Sequence, residues 1–147
     1  MGNFKIFLEQ SESEEQKNVE KLLSGLPVRH RRLLHKYKFT YTPNNTLEKD
    51  SEHIGYIHNK KVVVAAPWNY SRKFTTLHEI AHLVFEKLIN TKMKKEWSSI
   101  VKNTKGKKQK QNDEELFCHA YACHYSGDHC PRIHDHPEWM DYMKKLK

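Results

Sequence analysis

The sequence predicts an α+β fold: a small antiparallel or mixed sheet packed on a helix that carries His78-Glu79-Ile80-Ala81-His82, with a second, glutamate-bearing helix alongside. Three observations lead there. Residues 37–66 contain short runs of aromatic and β-branched residues bounded by turn residues. Apolar positions recur at helical spacing through 72–88. A capped, apolar helical pattern follows at about 113–126.

Each element has its own signal. Ser13-Glu14-Glu15-Gln16 reads as a capping box, with Ser13 as N-cap and Gln16 reaching back. Val19, Leu22 and Leu23 continue that helix, and Gly25 and Pro27 stop it. Residues 28–36 read as a second, basic helix. Tyr37 to Thr42 alternates aromatic and polar residues, a strand pattern, and Pro43-Asn44-Asn45 turns the chain. His53 to Ile57 and Lys61 to Ala66 flank His58-Asn59-Lys60 as the arms of a hairpin. The second arm is nearly all apolar, so one of its faces is deeply buried.

After Pro67-Trp68-Asn69-Tyr70 comes the motif helix, with Leu77, Ala81, Val84, Phe85 and Leu88 on its apolar stripe. A helix near 92–102 and a lysine-rich loop from Lys102 to Gln111 come next. Asn112 or Asp113 can cap the helix at about 113–126. Pro137 at N1 opens a last helix, Glu138 to Leu146. No internal repeat or Pro/Gly-rich linker interrupts this order. Residues 1–147 therefore read as one domain: a helical segment 1–36, the sheet and motif helix 37–90, and a helical part 91–147.

Composition bounds the function. A chain of 147 residues can bury one core. No apolar run approaches the ~20 residues of a membrane span. Met1 to Glu9 is apolar too briefly for a signal peptide, so a cytoplasmic protein is expected. The net charge of +8 favours an acidic partner or substrate. The odd number and clustering of Cys118, Cys123 and Cys130 argue against a disulfide framework, leaving reduced thiols or metal ligands.

The chemistry centres on His78 and His82. Histidines at i and i+4 lie on one helix face, where both rings reach one ion. Composition alone produces such a motif with a probability of roughly 0.07. Here it falls on an amphipathic helix free of Pro and Gly, after a strand and a loop. Small Ala81 beside the histidines leaves room. Glu79 faces the same cleft, where it can take a proton from water made acidic by zinc (Zn2+). A catalytic zinc needs a third protein ligand, and Glu115 is the choice. Glu114 reads as a carboxylate favoured by the helix dipole. Cys118 and His119 compete for the ligand role, and His119 fits better as a group that orients a ligand.

At these residues the chain resembles the zinc-protease domain of anthrax lethal factor and its relatives, the Pro-Pro endopeptidases. The likeness runs through Leu26-Pro27, Gly55-Tyr56-Ile57, the apolar strand 62–66, Thr76 to His82, Lys95 to Ile100, Asn112 to Ala122 and the Pro-initiated last helix. It implies a zincin-like fold, a zinc metallopeptidase activity, His78, His82 and Glu115 as zinc ligands, and Glu79 as general base. It also implies a peptide substrate paired with an edge strand before the motif helix, read here as Lys61 to Ala66. Two departures stand out. The family's oxyanion-binding tyrosine, some seven positions before the third ligand, is replaced by the stretch Lys105-Gly106-Lys107-Lys108, with Lys108 as a substitute donor. The acidic residue expected one turn after the ligand is His119. The stretches Arg72 to Leu77 and Glu115 to Ala122 also resemble the ImmA/IrrE metallopeptidases, which implies a mobile-element protein acting on a regulator.

Other readings rest on less. Cys123, His124, His129 and Cys130 could form a second, structural zinc site, but their spacing matches no common finger. Arg29, Arg31, Arg32 and the lysines of 102–110 could meet phosphates, but no nucleic-acid motif accompanies them. A non-enzymatic zinc-binding interaction module is the alternative to a peptidase.

Overall fold

The structure is a computed structural model that describes residues 5–8, 20–41, 55–58, 60–64, 72–104, 112–127, 130 and 136–146. The expected Ser13 cap, the Pro43 turn, the Trp68 loop and residues 105–111 of the lysine-rich segment lie outside these residues. Residues 20–24 are the described part of helix α1, and α2 spans Val28–Leu34 with Pro27 at its start. Strands β1 (Lys5–Leu8), β2 (Lys38–Tyr41), β3 (Gly55–His58) and β4 (Lys61–Val64) form one sheet. Four helices complete the chain: α3 (Arg72–Lys87), α4 (Thr91–Thr104), α5 (Asp113–Ser126) and α6 (Pro137–Lys144). This is a helix-rich α+β layout.

The strand order is β1-β2-β4-β3. The β1–β2 and β2–β4 pairs are parallel, and only β3–β4 is antiparallel. The sheet is therefore mixed. β1 is not foreseen in the sequence, because its short apolar run gains a strand's stability only by pairing with β2, more than thirty residues away. The register aligns Ile6 with Phe39, Phe39 with Val62, and Val62 with Ile57, one row across all four strands. Phe39 and Val62 in that row are fully buried. The hairpin closes through a two-residue loop in which Lys60 takes φ 59°, the left-handed conformation tight hairpins require.

One sequence expectation is corrected here. β4 pairs with β2 on one side and β3 on the other, so Lys61–Val64 has no free edge for a peptide. Its nearly unbroken apolar sequence is the mark of an interior strand. Among the described residues the outer strand on that side is β3.

Helix α5 is the centre of the helical layer. Leu116, Phe117, Cys118, Ala120, Tyr121, Ala122 and Cys123 are all buried, so the helix is apolar around most of its circumference. Such a helix must be surrounded, and α3, α4 and α6 all pack on it. α3 lies between α5 and the sheet, touching β3 and β4. It buries Leu77, Ile80, Ala81, Leu83 and Val84. Each large aliphatic side chain among these contributes about 1.5–3 kcal/mol. Phe85 and Leu88, expected on the stripe, are only partly buried.

An aromatic cluster joins α4, α5 and α6. Trp97 lies 5.9 Å from Phe117, 5.7 Å from Trp139 and 5.0 Å from Tyr142, ring centre to ring centre. Buried aromatic polar atoms need partners, and these have them. Trp97 Nε1 donates to the Asp113 carbonyl at 2.8 Å, Trp139 Nε1 to Thr104 Oγ1 at 2.6 Å, and Tyr142 Oη to the Met93 carbonyl at 2.9 Å.

The cysteine expectation is also corrected. Cys123, at the end of α5, forms a disulfide with Cys130, and Cys118 is a free, buried cysteine. The odd count hid a pair because the third cysteine, Cys118, takes no part in it. A second zinc site built on Cys123 and Cys130 loses both sulfurs to that bond, and His129 lies outside the described residues. No helix among the described residues is long and apolar enough to cross a membrane.

Candidate metal centre

The first turn of α5 is held from three directions, and it carries the acidic half of the site. Asn112 Oδ1 accepts the Glu115 backbone N–H at 2.8 Å, which makes Asn112 the N-cap. Trp97 Nε1 holds the Asp113 carbonyl, and Ser98 Oγ donates to the Asp113 carboxylate at 2.5 Å. The three acidic residues Asp113, Glu114 and Glu115 of this turn also suit the positive end of the helix dipole.

The basic half comes from α3. One helical turn separates His78 from His82, and their rings lie 5.1 Å apart at nearly right angles. Both side chains are mostly buried, 18% and 24% exposed, while Glu115 at 36% forms the rim. Glu115 reaches between them: Oε2 lies 3.2 Å from His78 Nε2, and Oε1 lies 3.2 Å from His82 Nε2. The three residues expected as ligands therefore meet.

Glu114 has a sharper role than a helix-dipole carboxylate. His82 Nδ1 donates to Glu114 Oε2 at 2.6 Å. That bond fixes the proton on Nδ1 and turns the ring so that Nε2 faces Glu115. The orienting role given to His119 in the sequence thus falls, for His82, to Glu114. The signal was a pair of adjacent glutamates on one turn. Spacing alone could not say which would meet which ring nitrogen.

Glu79 is buried in the same region, 9% exposed, with Oε1 3.8 Å from His78 Nδ1. That is longer than a hydrogen bond. His119 stands with its ring 5.1 Å from that of His78 and 5.9 Å from Phe74. Two overlapping donor sets result: His78, Glu115 and His119, and His78, His82 and Cys118, each with donor atoms within 4.8 Å of one another. His78, His82, Glu115 and His119 lie close together and could bind a metal ion. Burial, then the nearby carboxylates of Glu115, Glu114 and Glu79, push the Cys118 thiol well above the ordinary range.

A different histidine occupies the other end of α5. His30 of α2 is buried, and its Nδ1 shares a 2.8 Å hydrogen bond with Tyr121 Oη. Burial, then the positive charge of Arg29, lowers its pKa to about 4. Burial raises that of Tyr121 well above the usual phenol value, so both partners are neutral near pH 7. Lys108, expected as a substitute oxyanion donor, lies outside the described residues. No protein-family model matches this chain, and no curated protein does. The candidate metal centre rests on its geometry alone.

Proposed function

We propose that the protein is a zinc-dependent metallopeptidase with the zincin-like fold its motif resembles. One observation carries the reading. His82 Nδ1 bonds the Glu114 carboxylate, and its Nε2 faces a Glu115 oxygen 3.2 Å away. A ring nitrogen and a carboxylate placed this way can share one cation. The same carboxylate meets His78 Nε2 at the same distance. A tetrahedral zinc with bonds of about 2.0–2.1 Å sets neighbouring ligand atoms about 3.3 Å apart, close to the 3.2 Å between Glu115 and each of the two rings.

His78, His82 and Glu115 would hold the ion. When bound, zinc supplies Lewis acidity, polarising a peptide carbonyl and acidifying water. Glu79 is the general base: its carboxylate accepts the proton of the attacking water and later delivers it to the leaving amine. Glu114 keeps His82 in the correct tautomer throughout. The outer edge of β3, on the strand that touches α3, offers backbone N–H and C=O groups to an extended peptide. The chain's positive charge favours an acidic peptide.

The replacement of the expected tyrosine by Lys108 favours a second reading, a zinc-binding interaction module with weak or no turnover. A regulator-directed peptidase of the ImmA/IrrE kind is a variant of the first reading. A peptide library decides between turnover and binding. Cleavage by the wild type, lost on chelation and in Glu79→Gln while zinc stays bound, supports the peptidase. No cleavage by a zinc-loaded wild type supports the module.

A further inference from the structure

The floor of the metal cleft holds a donor that the peptidase reading does not use. Cys118 lies one turn after Glu115 on α5, fully buried and outside the disulfide. Its Sγ and one nitrogen from each of His78 and His82 lie within 4.8 Å of one another. On a tetrahedral ion, a sulfur bonded at ~2.3 Å and a nitrogen at ~2.0 Å stand about 3.6 Å apart. Side-chain shifts of roughly 1 Å therefore close the set around one ion.

We propose that Cys118 is a further protein donor, reaching from the buried side to the ion held by His78 and His82, so that the centre favours thiophilic divalent ions such as zinc and cadmium. The proposal rests on reading those two histidines as metal ligands. Thiolate donors select softer ions, whereas a purely nitrogen and carboxylate set does so less. On binding, the S–H bond breaks, an S–metal bond forms and the proton passes to bulk water; no electron is transferred. With Glu115 also bound, four protein donors fill a tetrahedral ion, the arrangement of closed structural sites. An open position then exists only when the sulfur is displaced. Cys118 thereby sets whether the ion is sealed or available to water.

Cobalt(II) reads the donor set directly, because a thiolate on cobalt gives an intense near-ultraviolet charge-transfer band that nitrogen and oxygen donors do not. Titrated into the metal-free chain, cobalt should give that band together with its visible bands. In Cys118→Ser the charge-transfer band should vanish, the visible bands should stay, and cadmium should bind about ten-fold more weakly or worse. The band should survive replacement of both Cys123 and Cys130 by serine. Visible bands without charge transfer in the wild type overturn the proposal and leave His78, His82 and Glu115 as the ligands. Failure of the wild type to take up cobalt or zinc overturns both readings. A charge-transfer band that persists in Cys118→Ser places the thiolate elsewhere and overturns this one. The wild-type spectrum decides by itself, even if the buried substitution unfolds the chain.

Discussion

His30 and His82 both send Nδ1 to a side chain on α5, seven residues apart, yet they are different kinds of residue. His30 meets the hydroxyl of Tyr121 at 2.8 Å inside the core. His82 meets the carboxylate of Glu114 at 2.6 Å in a half-open cleft. A neutral partner in a dry setting makes a structural histidine, held uncharged. A carboxylate partner at the rim orients the ring and aims its far nitrogen at the cleft. The difference lies in the group beyond the imidazole, which is why eleven histidines in one sequence cannot be sorted by counting.

The largest test of that contrast is metal content by mass spectrometry, on protein without a polyhistidine tag. His82→Ala and Glu115→Ala should each fall from about one zinc per chain to almost none, while His30→Gln should keep its metal. Equal loss in His30→Gln would put both histidines in one class.

The next effect is acid sensitivity. His30 has a folded-state pKa of about 4 against an ordinary 6.5, so on acidification the unfolded chain takes up the proton first. Its contribution to stability is therefore intact above pH 6.5, falls as pH drops toward 4, and changes no further below. Two and a half pKa steps set an upper limit of about 3 kcal/mol. Urea unfolding at several pH values should show the wild type losing up to that amount relative to His30→Gln. Parallel pH curves for the two would remove the buried, neutral histidine.

Swapping partners separates the roles further. Glu114→Gln should weaken metal binding about 10–100-fold. Tyr121→Phe should leave metal affinity alone and cost about 1–3 kcal/mol of stability, because it strands a buried ring nitrogen. A metal titration and a denaturation curve on each variant read both effects.

The smallest prediction is a control remote from both histidines. Lys60 holds a positive φ, which costs a side-chain-bearing residue about 1 kcal/mol. Lys60→Gly should stabilise the hairpin by about 0.5–1 kcal/mol, measured by thermal unfolding, with metal affinity unchanged.

Local signals in the sequence were legible. The i, i+4 histidines needed only a helix, and α5 was bounded by its Asn112 cap and by Gly127 at φ 76°. Glu115 followed from that boundary and from the need for a third donor. Non-local facts were not legible. The pairing of Lys5–Leu8 with β2, and the place of β4 between two neighbours, depend on which strands meet, and strand periodicity carries no address. The β4 sequence did contain a clue, since an edge strand is seldom so uniformly apolar. The Glu114 bond escaped because two adjacent glutamates look alike until the facing helix supplies a ring.

The aromatic clamp has a consequence for biosynthesis. His78, His82 and Glu115 all emerge from the ribosome before Trp139 and Tyr142. Those two rings brace Trp97, which in turn holds the first turn of α5. A nascent chain thus carries every expected ligand while the wall behind Glu115 is still missing. Any ion these residues hold would therefore meet its complete frame only after α6 has docked.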